Sequence, residues 1–276
     1  MRKKTVSKVI LFVILTAGAI VWLFPLYWIL RTALMDYFQI FDYPPVFFPS
    51  PIRLANFSEA MKAVPFGRFY LNTITIVIAS ASGTIFASSL CAYSFSRLRW
   101  PFRDKIFGIL LTGMMLPGAV TLIPTFVGWS ALGMVNTYIP LTVPSWFGGG
   151  IFSIFLLRQF YLTIPREYDE AAHIDGAGYF TVYWRIMLPM IKPALISVLL
   201  FSFIGTWNDF LHPLIYLSSQ DKYTLSLGLR VFMGLYNAEW HYMMAATTMV
   251  VAPVIAVFFA GQKYIVEGIV MSGLKF

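Results

Sequence analysis

The sequence predicts an all-α integral membrane protein with six transmembrane helices, on three observations: its composition, its long apolar stretches and the placement of its basic residues. Hydrophobic residues make up 59% of the 276 residues, and charged residues make up only 12%. Soluble domains carry roughly twice that share of charge. A soluble fold of this size would lack the polar groups needed to cover its surface, so the composition excludes a secreted or cytosolic globule and a disordered chain.

Six apolar stretches are long enough to cross a bilayer, which takes about 20 residues. They lie at about 10–32, 69–95, 106–131, 138–162, 193–217 and 242–265. The first stretch follows Arg2, Lys3 and Lys4, as in a signal peptide, but it continues through Trp28 without a small-residue cleavage site. We therefore expect an uncleaved helix. The whole chain, 1–276, is expected to form a single transmembrane domain.

The basic residues predict the orientation of these spans. With six spans both termini lie on one side, and 14 of the 20 Lys and Arg residues fall on that side. Cytoplasmic loops are rich in Lys and Arg, so both termini are expected in the cytoplasm of a multi-pass plasma membrane protein. The net charge of +8 therefore needs no nucleic acid partner to explain it.

Motifs for chemistry are missing from the sequence. A single cysteine, Cys91, excludes an intramolecular disulfide and a Cys-based metal cluster. The sequence has no GxxxxGK[ST] motif to cradle nucleotide phosphates, and it has no paired-carboxylate or nucleophile arrangement. We expect a chain that is not an enzyme and binds no cofactor itself.

The most informative segment is the cytoplasmic connection 165–193 between the fourth and fifth spans. Pro165 and the acidic residues after it indicate a helix start, because proline suits the first turn and carboxylates suit the positive end of the helix dipole. Gly176 and Gly178 indicate its end. A helix of about 10 residues is marginal in water, so it is suited to docking on another protein.

The spacing within this segment resembles the EAA loop of bacterial ABC importer permeases. The matching positions are Glu170-Ala171-Ala172, then Gly176 after three residues, Ile186 after nine more, and Leu188-Pro189 after one more. Two further runs, Asp175-Gly176-Ala177 and 205–210, resemble the carbohydrate-uptake branch. The chain is thus similar, over nearly its whole length, to MalG-like members of the binding-protein-dependent transport inner membrane component family.

The resemblance implies a type I ABC importer with the MetI-like permease fold, in which this chain forms half of the translocation pore. Its implied partners are membrane lipid, a second, MalF-like permease, two cytoplasmic ABC ATPase subunits that use ATP and Mg, and an extracytoplasmic sugar-binding protein. The implied solute is a sugar, in particular an oligosaccharide. The C-terminal tail from Tyr264 is implied to reach the ATPase dimer.

The resemblance also implies which residues couple the chain to the ATPase. They are Glu170, Ala171, Ala172, Asp175, Gly176, Ile186, Leu188 and Pro189. Small alanines let a helix seat closely in a groove, and the carboxylate of Glu170 suits a cation on the partner. Gly176 permits a sharp turn, and Ile186, Leu188 and Pro189 are expected to pack the returning chain against the helix.

The translocation path is predicted at the end of the fifth span, where Trp207, Asn208 and Asp209 follow one another. Polar and charged groups within spans are costly and often functional. An indole stacks on the apolar face of a sugar, while an amide and a carboxylate bind its hydroxyls. The alternative is a structural hydrogen-bond cluster that fixes the helix end.

Prolines and small residues predict where the spans bend and pack. Pro117 and Pro124 interrupt the third span, and Pro140 and Pro144 interrupt the fourth, so kinks are expected in both. In the second span Ala79, Gly83 and Ala87 recur at spacing four, a pattern that lets a neighbouring segment approach closely.

Two other functions remain open at this point. One is an ABC permease for a different solute, such as glycerol phosphate, which would favour a cationic lining. The other is an ion-coupled secondary transporter, which would need inverted repeats or a chain of ionisable groups. Neither feature is evident in the sequence.

Overall fold

The computed structural model describes residues 2–234 and 238–273, with side chains over 7–234 and 238–264. The described residues are helices and turns, apart from one isolated bridge between Met233 and Ala238, and the prediction of an all-α protein is confirmed. Most of the implied C-terminal tail contact lies outside the described side chains, which end at Tyr264.

Fifteen α-helices are described, and several are short. They are α1 (Arg2–Ala33), α2 (Ala55–Ala63), α3 (Phe66–Arg97), α4 (Arg103–Thr112), α5 (Gly118–Ala131), α6 (Ile139–Thr142), α7 (Pro144–Gly148), α8 (Ile151–Thr163), α9 (Glu167–Ile174), α10 (Tyr179–Val182), α11 (Leu188–Met190), α12 (Lys192–Asn208), α13 (Leu211–Tyr216), α14 (Leu225–Leu229) and α15 (Trp240–Gly273). A π-helical turn, Tyr183–Met187, joins α10 to α11.

Four helical stretches in the described residues are long and apolar enough to cross a membrane, and up to six if each of two bent pairs counts as one span. The four stretches are Ser7–Ala33, Phe66–Arg97, Ile139–Thr163 and Trp240–Tyr264, which match the predicted first, second, fourth and sixth spans. The bent pairs fall at the predicted third and fifth spans. The count of six spans therefore stays a prediction.

The predicted third span is bent by 98° where Arg103–Met115 meets Gly118–Ala131. Leu116 and Pro117 are both extended at this point, with ψ of 120° and 134°. Proline disfavours the helical conformation of the residue before it and has no N–H to continue the helix. The break expected at Pro117 is thus present, whereas Pro124 lies within α5.

The chain forms two compact units, Met1–Gly67 with Gly228–Ala252 and Arg68–Leu227 with Pro253–Phe276. In the first unit, Asp36 pairs with Arg53 at 2.5 Å, and this guanidinium holds the pKa of the Asp36 carboxyl below its usual value. The buried amide of Asn56 donates to the carbonyls of Ala33 and Met35. These contacts tie the connection between α1 and α3 to the end of α1. The single domain over 1–276 stays a prediction.

In the second unit, the small-residue face of α3 packs against the predicted fourth span, which consists of α6, α7 and α8. A Cβ added to Gly83 would lie 2.6 Å from the indole of Trp146, and the Ser80 hydroxyl donates to the carbonyl of Leu141 at 2.9 Å. Pro140 and Pro144 begin α6 and α7, where their missing N–H groups cost nothing. The close approach predicted from the small residues is therefore present.

Gly149 marks the tightest point of this packing and yields a prediction. Its φ is +58°, and a Cβ there would lie 2.5 Å from the backbone nitrogen of Ser88. We expect Gly149→Ala to destabilise the protein by about 2 kcal/mol, from overpacking and the left-handed backbone, measured as a lower thermal unfolding temperature in detergent. Gly148→Ala is the matched control, because its Cβ would meet nothing within 4 Å. Equal unfolding temperatures for the two variants would contradict this packing.

The core of the second unit combines α3, α8, residues 179–191 and α12. Its most buried large side chains include Tyr161, Leu157, Met187 and Ile191, each at most 1% exposed. Ala172 of α9 belongs to the same cluster. The core therefore positions the segment in which the sequence predicts the coupling residues.

Candidate functional site

The short helix α9 begins close to the position that the sequence predicts. Glu167, Asp169 and Glu170 occupy its first turn, where their carboxylates suit the helix dipole. Gly176 ends it with φ of +81°, and its N–H donates to the carbonyl of His173 at 3.0 Å. The helix has 8 residues rather than the expected 10 or so.

A buried ion pair attaches α9 to the rest of the second unit. Arg97, the last residue of α3, places Nη1 2.9 Å from Oδ2 of Asp169, and these side chains are 4% and 16% exposed. The Nη2 of the same guanidinium donates to the carbonyls of Tyr161 at 2.5 Å and Ile164 at 2.7 Å. One arginine thus joins α3, the end of α8 and α9.

This pair is not predicted from the sequence. There, Arg97 is one of the basic residues that predict the orientation of the spans, and Asp169 is one of several acidic residues at the start of a helix. Nothing in the local pattern pairs two residues 72 positions apart. The available signal was the position of an arginine at the end of a span, facing a segment rich in carboxylates.

The predicted coupling residues divide into an exposed and an inward-facing set. Glu170, Ala171, Asp175 and Gly176 are exposed. Ala172 is 7% exposed and belongs to the core cluster, and Ile186 and Leu188 pack against that same cluster. Pro189 is exposed within the first turn of α11. Ile186 and Leu188 therefore contact the same core cluster as Ala172 of α9, as expected, whereas Pro189, expected to pack with them, is exposed and lies outside that cluster.

Large apolar side chains surround the exposed set. Ile174 is 86% exposed, Phe180 70% and Tyr179 63%. The Nδ1 of His173 donates a hydrogen bond at 2.7 Å to the carbonyl of Ala177, and the ring packs edge-on against Tyr179, so His173 stabilises the turn after α9. Exposed apolar groups rimmed by polar residues are typical of a surface that contacts another protein.

The three residues of the predicted translocation path do not share one environment. Trp207 is 3% exposed, stacked on Phe203 with ring centroids 5.3 Å apart and edge-on to Tyr70 at 5.6 Å. Asn208 is exposed and donates to the carbonyl of Ile204 in its own helix. Successive residues of a helix point about 100° apart, which explains the separation.

Asp209 follows the end of α12 and pairs with a residue that sequence reasoning missed. Its carboxylate lies 2.9 Å from Nδ1 of His212 and accepts the backbone N–H of His212 at 3.2 Å. Both side chains line a cavity of about 320 Å³, together with Thr121, Thr125 and Tyr216. This cavity lies beside the break between α4 and α5 and the break between α12 and α13.

In residues 7–234 and 238–264, whose side chains the structure describes, no group of three or more His, Cys, Asp and Glu residues is placed to hold a metal ion. The site contacts described above are hydrogen bonds, ion pairs and apolar surfaces. Such an arrangement can bind, transmit movement and line a passage.

Comparison with known proteins identifies a family. The family model described as "Binding-protein-dependent transport system inner membrane component" matches residues 83–270. The chain is 34% identical over 268 residues to the sn-glycerol-3-phosphate transport system permease protein UgpE of Yersinia enterocolitica, covering 94% of this chain and 95% of that protein. It is 28% identical over 261 residues to the diacetylchitobiose uptake system permease protein NgcG of Streptomyces coelicolor, covering 91% and 84%.

A solved structure has the same fold. It is the crystal structure of a bacterial ABC transporter involved in the import of the acidic polysaccharide alginate, which superposes with a TM-score of 0.83 at 24% identity and covers 96% of this chain and 98% of that chain. The predicted MetI-like permease fold is thereby confirmed. The chain belongs to the family of binding-protein-dependent transport system inner membrane components, and it is a multi-pass transport subunit of the inner membrane rather than an enzyme.

Proposed function

We propose that this chain is one permease subunit of an ATP-driven ABC importer for a sugar, coupled to its ATPase through α9. The observation that carries the proposal is the two-sided construction of α9. Its outer side presents Glu170, Ala171 and Ile174 to solvent, and its inner side is held by the buried pair of Asp169 and Arg97. An exposed docking face on a firmly attached helix is what transmission of movement requires.

The proposed coupling follows from these contacts. When the ATPase subunits close on ATP, a helix seated in one of them moves with it. Arg97 links that helix to the end of α3 and, through two carbonyls, to the end of α8. The movement then reaches the membrane spans as a rigid-body rotation, one of the common forms of conformational switching.

The proposed assembly contains three further kinds of subunit. A second, MalF-like permease completes the pore, two cytoplasmic ABC ATPase subunits hydrolyse ATP with Mg, and an extracytoplasmic binding protein delivers the solute. In the proposed orientation, with six spans and both termini in the cytoplasm, the connection 165–193 faces the ATPase. The coupling roles of Asp175, Gly176, Ile186, Leu188 and Pro189 belong to this proposal: Asp175 and Gly176 shape the docking turn, Ile186 and Leu188 seat it on the core, and the exposed Pro189 belongs to the docking surface.

For the solute, a sugar is favoured over glycerol phosphate by the lining of the cavity beside Asp209. Among the described residues that line it there is a carboxylate, an imidazole, two threonines and a tyrosine, and no Lys or Arg. Hydroxyl-bearing solutes suit such groups, whereas a phosphate is repelled by the carboxylate and meets no Lys or Arg among these residues. The relatives are named for both kinds of solute, a diacetylchitobiose uptake system for one and an sn-glycerol-3-phosphate transport system for another.

Uptake into cells or proteoliposomes tests the solute and the energy source together. Labelled diacetylchitobiose, an alginate oligosaccharide and sn-glycerol 3-phosphate are compared in the presence of ATP and the co-encoded binding protein. The proposal predicts ATP-dependent uptake of a sugar. Uptake of glycerol 3-phosphate alone would establish the other permease function, and uptake that an uncoupler abolishes while ATP is present would establish the ion-coupled alternative.

The path residues give a prediction at Asp209. We propose that Asp209 and Asn208 face the solute, while Trp207 holds the helix end from behind. Asp209→Asn removes a charged hydrogen-bond acceptor and is expected to lower uptake about tenfold or more, without changing the amount of chain in the membrane. Asp221→Asn is the control, because Asp221 is exposed and pairs with Arg68 at 3.7 Å, away from this cavity. Unchanged uptake in Asp209→Asn would remove Asp209 from the path.

Trp207 is tested separately, because its ring is buried. Trp207→Ala is expected to lower the thermal stability of the protein, since the loss of a buried tryptophan costs about 3–5 kcal/mol. If the variant keeps the wild-type affinity and rate of uptake per folded molecule, Trp207 takes no part in the path.

A further inference from the structure

Two adjoining cavities lie at the turn between α3 and α4. The first, of about 470 Å³, is lined by Arg97, Arg99, Trp100 and Arg166, and also by carboxylates of α9. The second, of about 610 Å³, shares Arg99, Trp100 and Arg166 with the first and adds Arg103 and Lys105. We call the second cavity the basic pocket. Arg99, Lys105 and Arg166 take no part in the coupling proposed above.

The basic pocket contains more basic side chains than carboxylates. Its carboxylate, Asp104, is paired with Arg103 at 3.0 Å and lies 3.6 Å from Arg158 as well. Arg99, Lys105 and Arg166 have no carboxylate within ion-pair distance in the described part of the chain. Glu170 and Asp169 line only the first cavity. A local excess of positive charge therefore lies in the basic pocket, and it attracts anions.

A buried N–H donor accompanies this charge. The Nε1 of Trp100, which lines both cavities, is buried and finds no acceptor among the described residues. The Nε of Arg97 and the Oδ1 of Asp169 are likewise buried and unpaired, but these two residues line only the first cavity. Buried donors are paired in most proteins, to protein or to ordered water, so the indole N–H suits an oxygen atom in the basic pocket.

An apolar stripe leads away from the basic pocket along α4. Phe102, Ile106 and Ile109 are 68%, 44% and 70% exposed, and their spacing of four and three residues places them on one side of the helix. The stripe runs into Arg103–Met115, half of a candidate membrane span. A polar pocket at the start of a span, continued by an exposed apolar stripe, matches a molecule with a charged head and an apolar tail.

We propose that the basic pocket binds the phosphate headgroup of an anionic phospholipid from the cytoplasmic leaflet, with its acyl chain along Phe102, Ile106 and Ile109. Arg99, Lys105 and Arg166 contact the phosphate, and the indole N–H of Trp100 donates to it. Basic pockets next to cytoplasmic span ends are suited to anionic headgroups. The cytoplasmic placement rests on the proposed function, but the pocket and its stripe do not.

The test measures lipid binding to the chain, purified in mild detergent with its co-purifying subunits. Phosphatidylglycerol and phosphatidylcholine are titrated and the bound lipids are counted by native mass spectrometry. The double variant Arg99→Gln with Arg166→Gln removes two cations and is expected to weaken phosphatidylglycerol binding about thirtyfold. Arg185→Gln with Lys192→Gln is the matched control, since both residues are exposed and line neither cavity. Arg99→Lys with Arg166→Lys keeps the charges and is expected to keep most of the binding.

Each result decides the proposal. Selective loss of phosphatidylglycerol in the first double variant, with little phosphatidylcholine bound by any protein, supports it. Equal loss in the control pair, or no loss at all, overturns it, as does displacement of the lipid by inorganic phosphate. A photo-crosslinker at position 99 that captures the ATPase instead of lipid also overturns it. Co-purification of the ATPase reports separately on the proposed function, which survives if only the lipid result fails.

Discussion

Glu170→Lys is expected to abolish transport while leaving the chain in the membrane. Glu170 is exposed on the outer side of α9, where its carboxylate is free to meet a cation on the ATPase. Reversal of its charge juxtaposes like charges at that contact, which costs several kcal/mol and corresponds to a loss of more than about 100-fold. Solute uptake measures the effect, and immunoblotting of washed membranes measures the amount of inserted chain.

Glu167→Lys is the control for this prediction. Glu167 is also exposed and lies in the same first turn of α9, so both reversals disturb the helix dipole by the same small amount. Only Glu170→Lys is expected to abolish uptake. Wild-type uptake in Glu170→Lys would remove the coupling role of α9, and an equal loss in both variants would show that helix stability, and not a specific contact, is responsible.

The second large effect is expected at Arg97. Arg97→Met leaves the buried carboxylate of Asp169 and the carbonyls of Tyr161 and Ile164 without their donor. Removal of one partner from a buried ion pair typically costs about 3–5 kcal/mol. We expect a lower unfolding temperature and an ATPase activity that the loaded binding protein no longer stimulates. Arg185→Met, at an exposed arginine of the connection 165–193, is expected to change neither.

A double-mutant cycle isolates the energy of the interaction between Arg97 and Asp169 from the other contacts of each residue. Arg97→Met combined with Asp169→Leu replaces both charges by apolar groups, so no charge is left buried and unpaired. The double variant is expected to be more stable than the sum of the two single effects predicts, because the residues are in contact. Strictly additive effects would contradict a direct interaction between Arg97 and Asp169.

Local patterns predicted the helices and turns well because these depend on neighbouring residues. The end of α9 at Gly176 follows from the freedom of glycine at φ of +81°, and the break at Pro117 follows from the missing N–H of proline. The angle of 98° at that break was not predictable, because the mean hydropathy of a stretch of residues does not say in which direction its two helical halves run.

The contacts that build the site were less predictable because they join distant residues. Arg97 meets Asp169 across 72 positions, and nothing in either local sequence distinguishes that partner from other acids. Trp207 and Asp209 are two residues apart, yet one is buried among aromatic rings and the other lies beside His212 at a cavity. Sequence adjacency suggested a shared task, whereas the end of α12 separates their environments.

The coupling of this chain to an ATPase through α9 is tested by tagged purification from native membranes, with identification of co-eluting subunits and an ATPase assay. We predict that a second permease and an ABC ATPase co-elute with vanadate-sensitive ATP hydrolysis, and that Glu170→Lys retains the second permease but loses the ATPase. If the wild-type chain elutes without an ATPase under mild extraction, the coupling role of α9 is contradicted.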